Sequence, residues 1–349
     1  MNFLRFILLP FAPVYGLVIR IRNMFFDKNV FKSVKVKAKV ISVGNLTVGG
    51  SGKTPMVIYL IEIMKSSGRK VGVLSRGYGR SSLGYILVSD GNKMLSTVEQ
   101  SGDEIYHTAI DTKVPAAVCE RRVQGAKRLI KDTGINTIVL DDAFQHRWIY
   151  RDIDLLIIDQ DFFNSSDTFI HSYLPVGIMR ESFRSIIRAD AVILNRKFSD
   201  KLEIPENRKQ YLKDKQIFTC FYEAVEFVDV IRNIHYTIEE FNGQKGLILS
   251  GIANPESFLK VLKQTGVEIN NQMIFRDHKE YTLTEVQQIR RRFYTTNSNS
   301  VITTEKDAVK LTKFSREFDD IDLFYLKIKL CLDDEESFKQ YLIKKINDK

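Results

Sequence analysis

From residue 40 onward, short apolar runs alternate with stretches of helical spacing. The runs are Val40–Val43, Lys70–Leu74, Val114–Cys119, Thr137–Leu140, Leu155–Ile158, Ala191–Leu194 and Gln216–Phe221. They read as buried strands, while Met56–Met64 and Arg121–Lys131 read as helices. Strands with helical crossovers predict an α/β fold, a mainly parallel sheet covered by helices on both faces. The pattern changes between Thr219 and Val230, where alternating and aromatic residues lead into a polar stretch around Arg232–Asn242. A new strand, Gly246–Leu249, is followed by Gly251-Ile252-Ala253-Asn254-Pro255 and a helix. Two domains are expected, 1–220 and a smaller α/β unit over 221–349, with Leu323–Leu332 pairing back on 219–230 as a hinge.

The first forty residues differ from the rest. Phe6–Ile19 is apolar, contains Pro10 and Pro13, and is flanked by Arg5, Arg20 and Arg22. It is shorter than the ~20 apolar residues that cross a bilayer, and no small-residue cleavage site follows it. An interfacial segment over residues 1–30 fits, its apolar side chains in the bilayer and its cations on anionic headgroups. Charge sharpens this picture. The chain of 349 residues carries a net +9. Arg5, Arg20, Arg22, Lys28, Lys32, Lys35, Lys37 and Lys39 stand against Asp27 alone in residues 1–40. Such a patch calls for an anionic partner. No nucleic-acid motif accompanies it, so a membrane surface is the expected partner and nucleic acid is not. Cys119, Cys220 and Cys331 have no metal or redox spacing and fit a reducing compartment.

Candidate chemistry gathers at strand ends. After Val40–Val43 come Gly49, Gly50, Ser51, Gly52, Lys53 and Thr54, and then a helix. This is the layout of a phosphate-binding loop, although Thr47 stands where the strict pattern has glycine. Loop N–H groups and the helix N-terminus attract phosphates, Lys53 reaches the β- and γ-phosphates, and Thr54 sits on Mg²⁺. The candidate nucleotide positions are Thr47, Val48, Gly49, Gly50, Ser51, Gly52, Lys53 and Thr54, with ATP and Mg²⁺ as cofactors. The fold class sharpens to the P-loop NTPase type. The strand Thr137–Leu140 ends in Asp141 and Asp142, where phosphate-loop enzymes hold Mg²⁺. Adjacent residues of a strand point opposite ways, so one acid serves the metal and the other its surroundings. Gln145 and His146 follow and line the same cleft. Ser101-Gly102-Asp103-Glu104 reads alone as an acidic turn, although Asp103 suits a base for an alcohol acceptor. Arg76 and Arg80, in the glycine-rich Leu74–Arg80 turn, suit an anionic substrate.

These stretches resemble the tetraacyldisaccharide 4′-kinases, the lipid A kinases of Gram-negative envelope synthesis. The resemblance runs through Gly44–Pro55, Leu74–Arg80, Ser101–Glu104, Leu140–His146, Leu174–Glu181, Phe275–His278 and Thr303–Asp307. Ala143 replaces a usual glycine, and Val176 and Ile178 replace Ala and Pro. The resemblance implies transfer of the ATP γ-phosphate to the 4′-hydroxyl of a tetraacyldisaccharide 1-phosphate lipid, giving lipid IVA. The place would be the cytoplasmic face of the bacterial inner membrane, with no obligate protein partner. It also implies that Asp103 is the catalytic acid–base group with His278 as its partner, and that Glu181 lies near the metal ligands Thr54, Asp141 and Asp142. Arg76 and Tyr78 fall in its substrate region, beside Gln145 and His146. The competing class is a P-loop ATPase switch of the membrane-positioning type. Such loops carry Lys directly before the Gly-Gly pair, where this chain has Val48.

Overall fold

A computed structural model describes residues 8–252, 255–277 and 279–348. His278, Ala253, Asn254 and the first apolar residues, Phe6 and Ile7, lie outside the described residues. The chain divides into two compact units. One comprises Met1–Arg196, Asp200–Cys220 and Leu332–Lys349, and the other Lys197–Ser199 and Phe221–Cys331. Residues 332–349, expected in the second domain, fall in the first unit, where Phe338 of the last helix packs its ring on Tyr59 and Phe218.

The first unit is built on β1 (Lys39–Gly44), β2 (Val71–Ser75), β3 (Ile86–Asp90), β4 (Pro115–Val118), β5 (Thr137–Asp141), β6 (Ile153–Asp159), β7 (Ala191–Asn195) and the start of β8 (Gln216–Asp229). Their order is β8-β7-β6-β1-β5-β2-β4-β3. All pairs are parallel except β3 with β4. β1, which feeds the glycine loop, is therefore central, between β6 and β5. Its residues from Val40 to Gly44 are buried, as a strand covered on both faces must be. Gly44 is needed there, because a Cβ would come within 2.5 Å of the Phe144 Cβ. Strand β3 was not expected: Ile86–Asp90 sits at the sheet edge, half-exposed, without the continuous apolar signature of its neighbours.

Helices of this unit are α1 (Phe11–Asp27), α2 (Lys53–Ser66), α3 (Val98–Ser101), α4 (Asp103–Thr112), α5 (Arg122–Thr133), α6 (Gln160–Asn164), α7 (Glu206–Leu212) and the terminal Glu335–Asn347. Leu9 and Pro10 form a turn after Leu8, and α1 starts beyond it. Pro10 is the N-cap of α1 and Pro13 lies in its first turn, where a missing N–H costs no helical bond. Ala12, Gly16 and Phe26 of α1 are buried, while Phe11, Val14, Leu17, Val18, Ile21 and Met24 are exposed. No helix among the described residues is long and apolar enough to cross a membrane.

The second unit contains the end of β8, β9 (His235–Tyr236), β10 (Lys245–Ser250), β11 (Glu268–Ile274), β12 (Ser300–Thr304) and β13 (Leu323–Leu332). The order is β11-β10-β12-β13-β8, with β9 antiparallel on β8. β13 thus neighbours β8, as the hinge reading expected. Phe258, Leu259 and Leu262 of one helix pack with Ile248 and Ile302. Val286 and Ile289 of another join Leu247, Leu249 and Val301. Successive strand residues thereby feed opposite faces.

Candidate active site

The glycine loop joins β1 to α2 with two left-handed glycines, Gly49 at φ 101° and Gly52 at φ 95°. Any side chain at either position would strain the backbone. A Cβ at Gly49 or Gly50 would meet no atom within 4 Å, so the rim of the loop is open. Its base is tied down instead. Asn45 Nδ2 donates to Ser51 Oγ at 2.8 Å, and Asn195 Nδ2 donates to the Ser51 carbonyl at 3.0 Å. The Val48 N–H donates to the Ile178 carbonyl at 2.9 Å, and Thr47 bridges Met179. Lys53 and Thr54 open the first turn of α2, where unpaired N–H groups favour an anion.

The acids at the end of β5 sit in different settings, because the strand ends between them. Asp141 is the last strand residue and is buried, whereas Asp142 turns out of the strand at φ 47°. Asp142 receives a two-pronged bond from Arg180, 3.0 Å to Oδ2 and 2.7 Å to Oδ1. Arg180 also donates to Asn45 Oδ1, which ties the acid to the base of the loop. Burial works to raise the Asp142 carboxyl, but Lys53 and Arg180 outweigh it and hold it below its ordinary value. Asp141 goes the other way. Burial, with Glu104 and Asp142 nearby, pushes it up to about 7 against the pull of Lys53 and Arg122. Its Oδ1 is buried with no hydrogen-bond partner among the described residues, while Oδ2 accepts from Ser75 Oγ at 3.4 Å. Arg122 lies beneath the pair, donating to the carbonyls of Cys119 at 2.7 Å and Asp141 at 3.3 Å. Burial lowers this guanidinium to about 10, although Asp141 and Asp142 favour its charge.

Asp103 is not in a simple turn. It is the first residue of α4, with Gly102 as N-cap at φ 91°, and its Oδ1 accepts from the Glu104 N–H at 2.9 Å. The glycine-rich turn after β2 packs directly on this start. A Cβ at Gly102 would approach the Tyr78 carbonyl to 2.7 Å, and one at Gly77 the Ser101 carbonyl to 2.8 Å. Tyr78 is exposed and adjoins the same junction. The Arg80 side chain is buried, pairs with Glu120 and donates to the Gly84 carbonyl at 2.7 Å. Gln145 Nε2 donates to the Asn45 carbonyl at 2.8 Å, next to the loop. His146 is pushed down to about 4 by burial and by Arg122, Arg22, Arg151 and Arg76, so its imidazole is neutral at physiological pH. Arg76 thus lies close enough to act on both His146 and Arg122.

Glu181 is fully buried, and its Oε2 accepts from Asn23 Nδ2 at 2.8 Å and Arg188 at 2.7 Å. Burial alone would raise it, but Arg188, Ser185 and Asn23 hold it below its ordinary value. Its Oε1 has no partner among the described residues. Sequence reasoning gave no role to Asn45, Arg122, Arg180, Asn195 or Asn23. Each comes from a different segment, and no local spacing marks them. Asn45 and Arg180 lie within the stretches Gly44–Pro55 and Leu174–Glu181 that carry the resemblance, which was the signal available for them.

A central strand runs into a glycine loop, lysine and helix, with a buried acid on the neighbouring strand. This arrangement defines a P-loop nucleotide-binding protein. The comparisons narrow the class. The family model described as tetraacyldisaccharide-1-P 4′-kinase matches residues 4–347. The tetraacyldisaccharide 4′-kinase of Desulfatibacillum aliphaticivorans is 33% identical over 346 residues, covering 95% of this chain and 90% of that protein. The one from Chlorobium luteolum is 36% identical over 330 residues, covering 88% and 87%. A crystal structure of an "apo" form of LpxK from Aquifex aeolicus in complex with ATP is similar, with TM-score 0.79, 30% identity and coverage of 98% of this chain and 99% of that one. The chain belongs to the tetraacyldisaccharide-1-P 4′-kinase family.

Proposed function

We propose that this chain transfers the γ-phosphate of ATP to the 4′-hydroxyl of a tetraacyldisaccharide 1-phosphate, giving lipid IVA at the cytoplasmic face of the inner membrane. The observation that carries the reading is the convergence of Lys53, Arg122 and Arg180 on the acids at the end of β5, beside an open glycine loop. Phosphoryl transfer needs positioning and positive charge more than covalent chemistry, and this set supplies both. Thr47 to Thr54 hold the nucleotide phosphates, and Lys53 meets the β- and γ-phosphates. Asp103 takes the acceptor proton. Arg76, Tyr78, Gln145 and His146 face the lipid sugar, His146 as a neutral hydrogen-bonding group.

The residues fit a Mg²⁺ ion. The Asp141 Oδ1 is buried with no hydrogen-bond partner among the described residues, and burial, with Glu104 and Asp142 nearby, raises its carboxyl. Asp141 and Thr54 would hold the ion, with Asp142 and Glu181 oriented around it by Arg180 and Arg188. When bound, Mg²⁺ neutralises charge on the β- and γ-phosphates. The membrane reading rests on the exposed apolar side chains of α1, which run into Lys28, Lys32 and Lys35. The test follows ADP release with and without the disaccharide lipid in micelles. Release that depends on lipid supports the kinase. Equal release without it supports an ATPase switch and overturns the proposal.

A further inference from the structure

α1 has a second use besides its exposed apolar face. Gly16 lies under Tyr173, where a Cβ would come within 2.6 Å of the ring. Asn23 reaches the buried Glu181 carboxylate at 2.8 Å, and Arg22 donates to the Gln145 carbonyl. Each contact continues to the phosphate loop. Gln145 Nε2 donates to the Asn45 carbonyl at 2.8 Å, and the Arg180 N–H donates to the Leu46 carbonyl at 2.7 Å. The Val48 N–H in turn donates to the Ile178 carbonyl at 2.9 Å. Residues 173–181 therefore touch α1 on one side and residues 46–48 on the other.

We infer that Asn23 is a positioning residue: through Glu181 and the segment 173–181 it sets the geometry of the phosphate loop, so ATP handling depends on how α1 is seated. The inference rests on the reading of residues 47–54 as the nucleotide loop. Glu181 shows why one amide matters. Its buried Oε2 has two partners, Arg188 from the short helical turn Phe183–Arg188 and Asn23 from α1. Removing the amide leaves a charged, buried oxygen short of a donor, and the carboxylate shifts toward Arg188. The backbone of Arg180 and Glu181 moves with it, and that backbone is bonded to Leu46. A loop that binds phosphates through N–H groups loses affinity when those groups are misplaced. Because the outer face of the same helix is exposed and apolar, a lipid surface that seats α1 also favours ATP binding, and ATP favours the seating in return.

The test is Asn23→Leu in the full-length protein, with kcat, the KM for ATP, the KM for lipid and vesicle co-sedimentation measured separately. The expected result is a KM for ATP raised about tenfold or more, the effect of losing one hydrogen bond to a charged group. Co-sedimentation measured without ATP stays at the wild-type value, because the outer face is intact, and the gain in co-sedimentation on adding ATP is lost. Gly16→Ala, which crowds Tyr173 from the same side, gives a rise in the same parameter and serves if Asn23→Leu does not fold. A KM for ATP unchanged in the folded variants, or a loss confined to the lipid KM, overturns the inference. Failure of the underlying reading shows separately, as a Lys53→Ala variant with a normal KM for ATP.

Discussion

Lys53 acts at the scale of one residue: it opens α2 and its charge reaches both Asp141 and Asp142. Lys53→Ala is expected to lower turnover by about 10²–10³-fold, the range for one lost preorganised electrostatic contact. The variant should still fold, with some loss of urea stability because the buried Asp142 carboxyl loses one of its cations; near-normal phosphate transfer contradicts the ligand role. His146 makes a pH prediction. Its imidazole titrates near 6.5 in an unfolded chain and near 4 when folded. Between these values the unfolded chain binds the extra proton, so His146 withdraws stability as pH falls through that window. Wild type should lose more stability than His146→Gln between about pH 7 and about pH 5, read by urea unfolding. Equal losses contradict the buried, neutral assignment. Residues of this kind differ in how far the sequence shows them. Lys53 was legible because its glycines, Thr54 and helix are contiguous. Arg122 and Arg180 were not, because α5 and the segment after Pro175 meet Asp141 and Asp142 only in the fold.

Among the elements, α1 carries the membrane reading. Its inward face is fixed by Ala12, Gly16 and Phe26, and its outward face is apolar and exposed among the described residues. Val14→Glu with Val18→Glu places two charges on that outer face and leaves Asn23 and Glu181 in contact. The double variant should leave the membrane fraction, and high salt should release part of the wild type by screening its headgroup attraction. Co-sedimentation unchanged in the variant contradicts the interfacial role. The central strands were legible because parallel strands covered on both faces are apolar throughout. Strand β3 was missed because an antiparallel edge strand need not be. Pro13 lies within the apolar run, and the first helical turn accepts it because its missing N–H has no helical bond to lose.

For the whole molecule, the alternation of strands and helices was enough to predict the sheet, and the change of pattern after Thr219 marked a second unit. Nothing in the pattern showed that Leu332–Lys349 returns to the first unit, because the aromatic contacts of Phe338 are long-range. The central claim is that a P-loop kinase of this family directs phosphate to a lipid sugar and not to water. The most direct measurement uses ATP labelled in the γ-phosphate, the purified full-length protein and tetraacyldisaccharide 1-phosphate in micelles. The account predicts one labelled phosphomonoester on the 4′-oxygen of the lipid for each ADP formed. Label recovered as free phosphate, with none on the lipid, would contradict it.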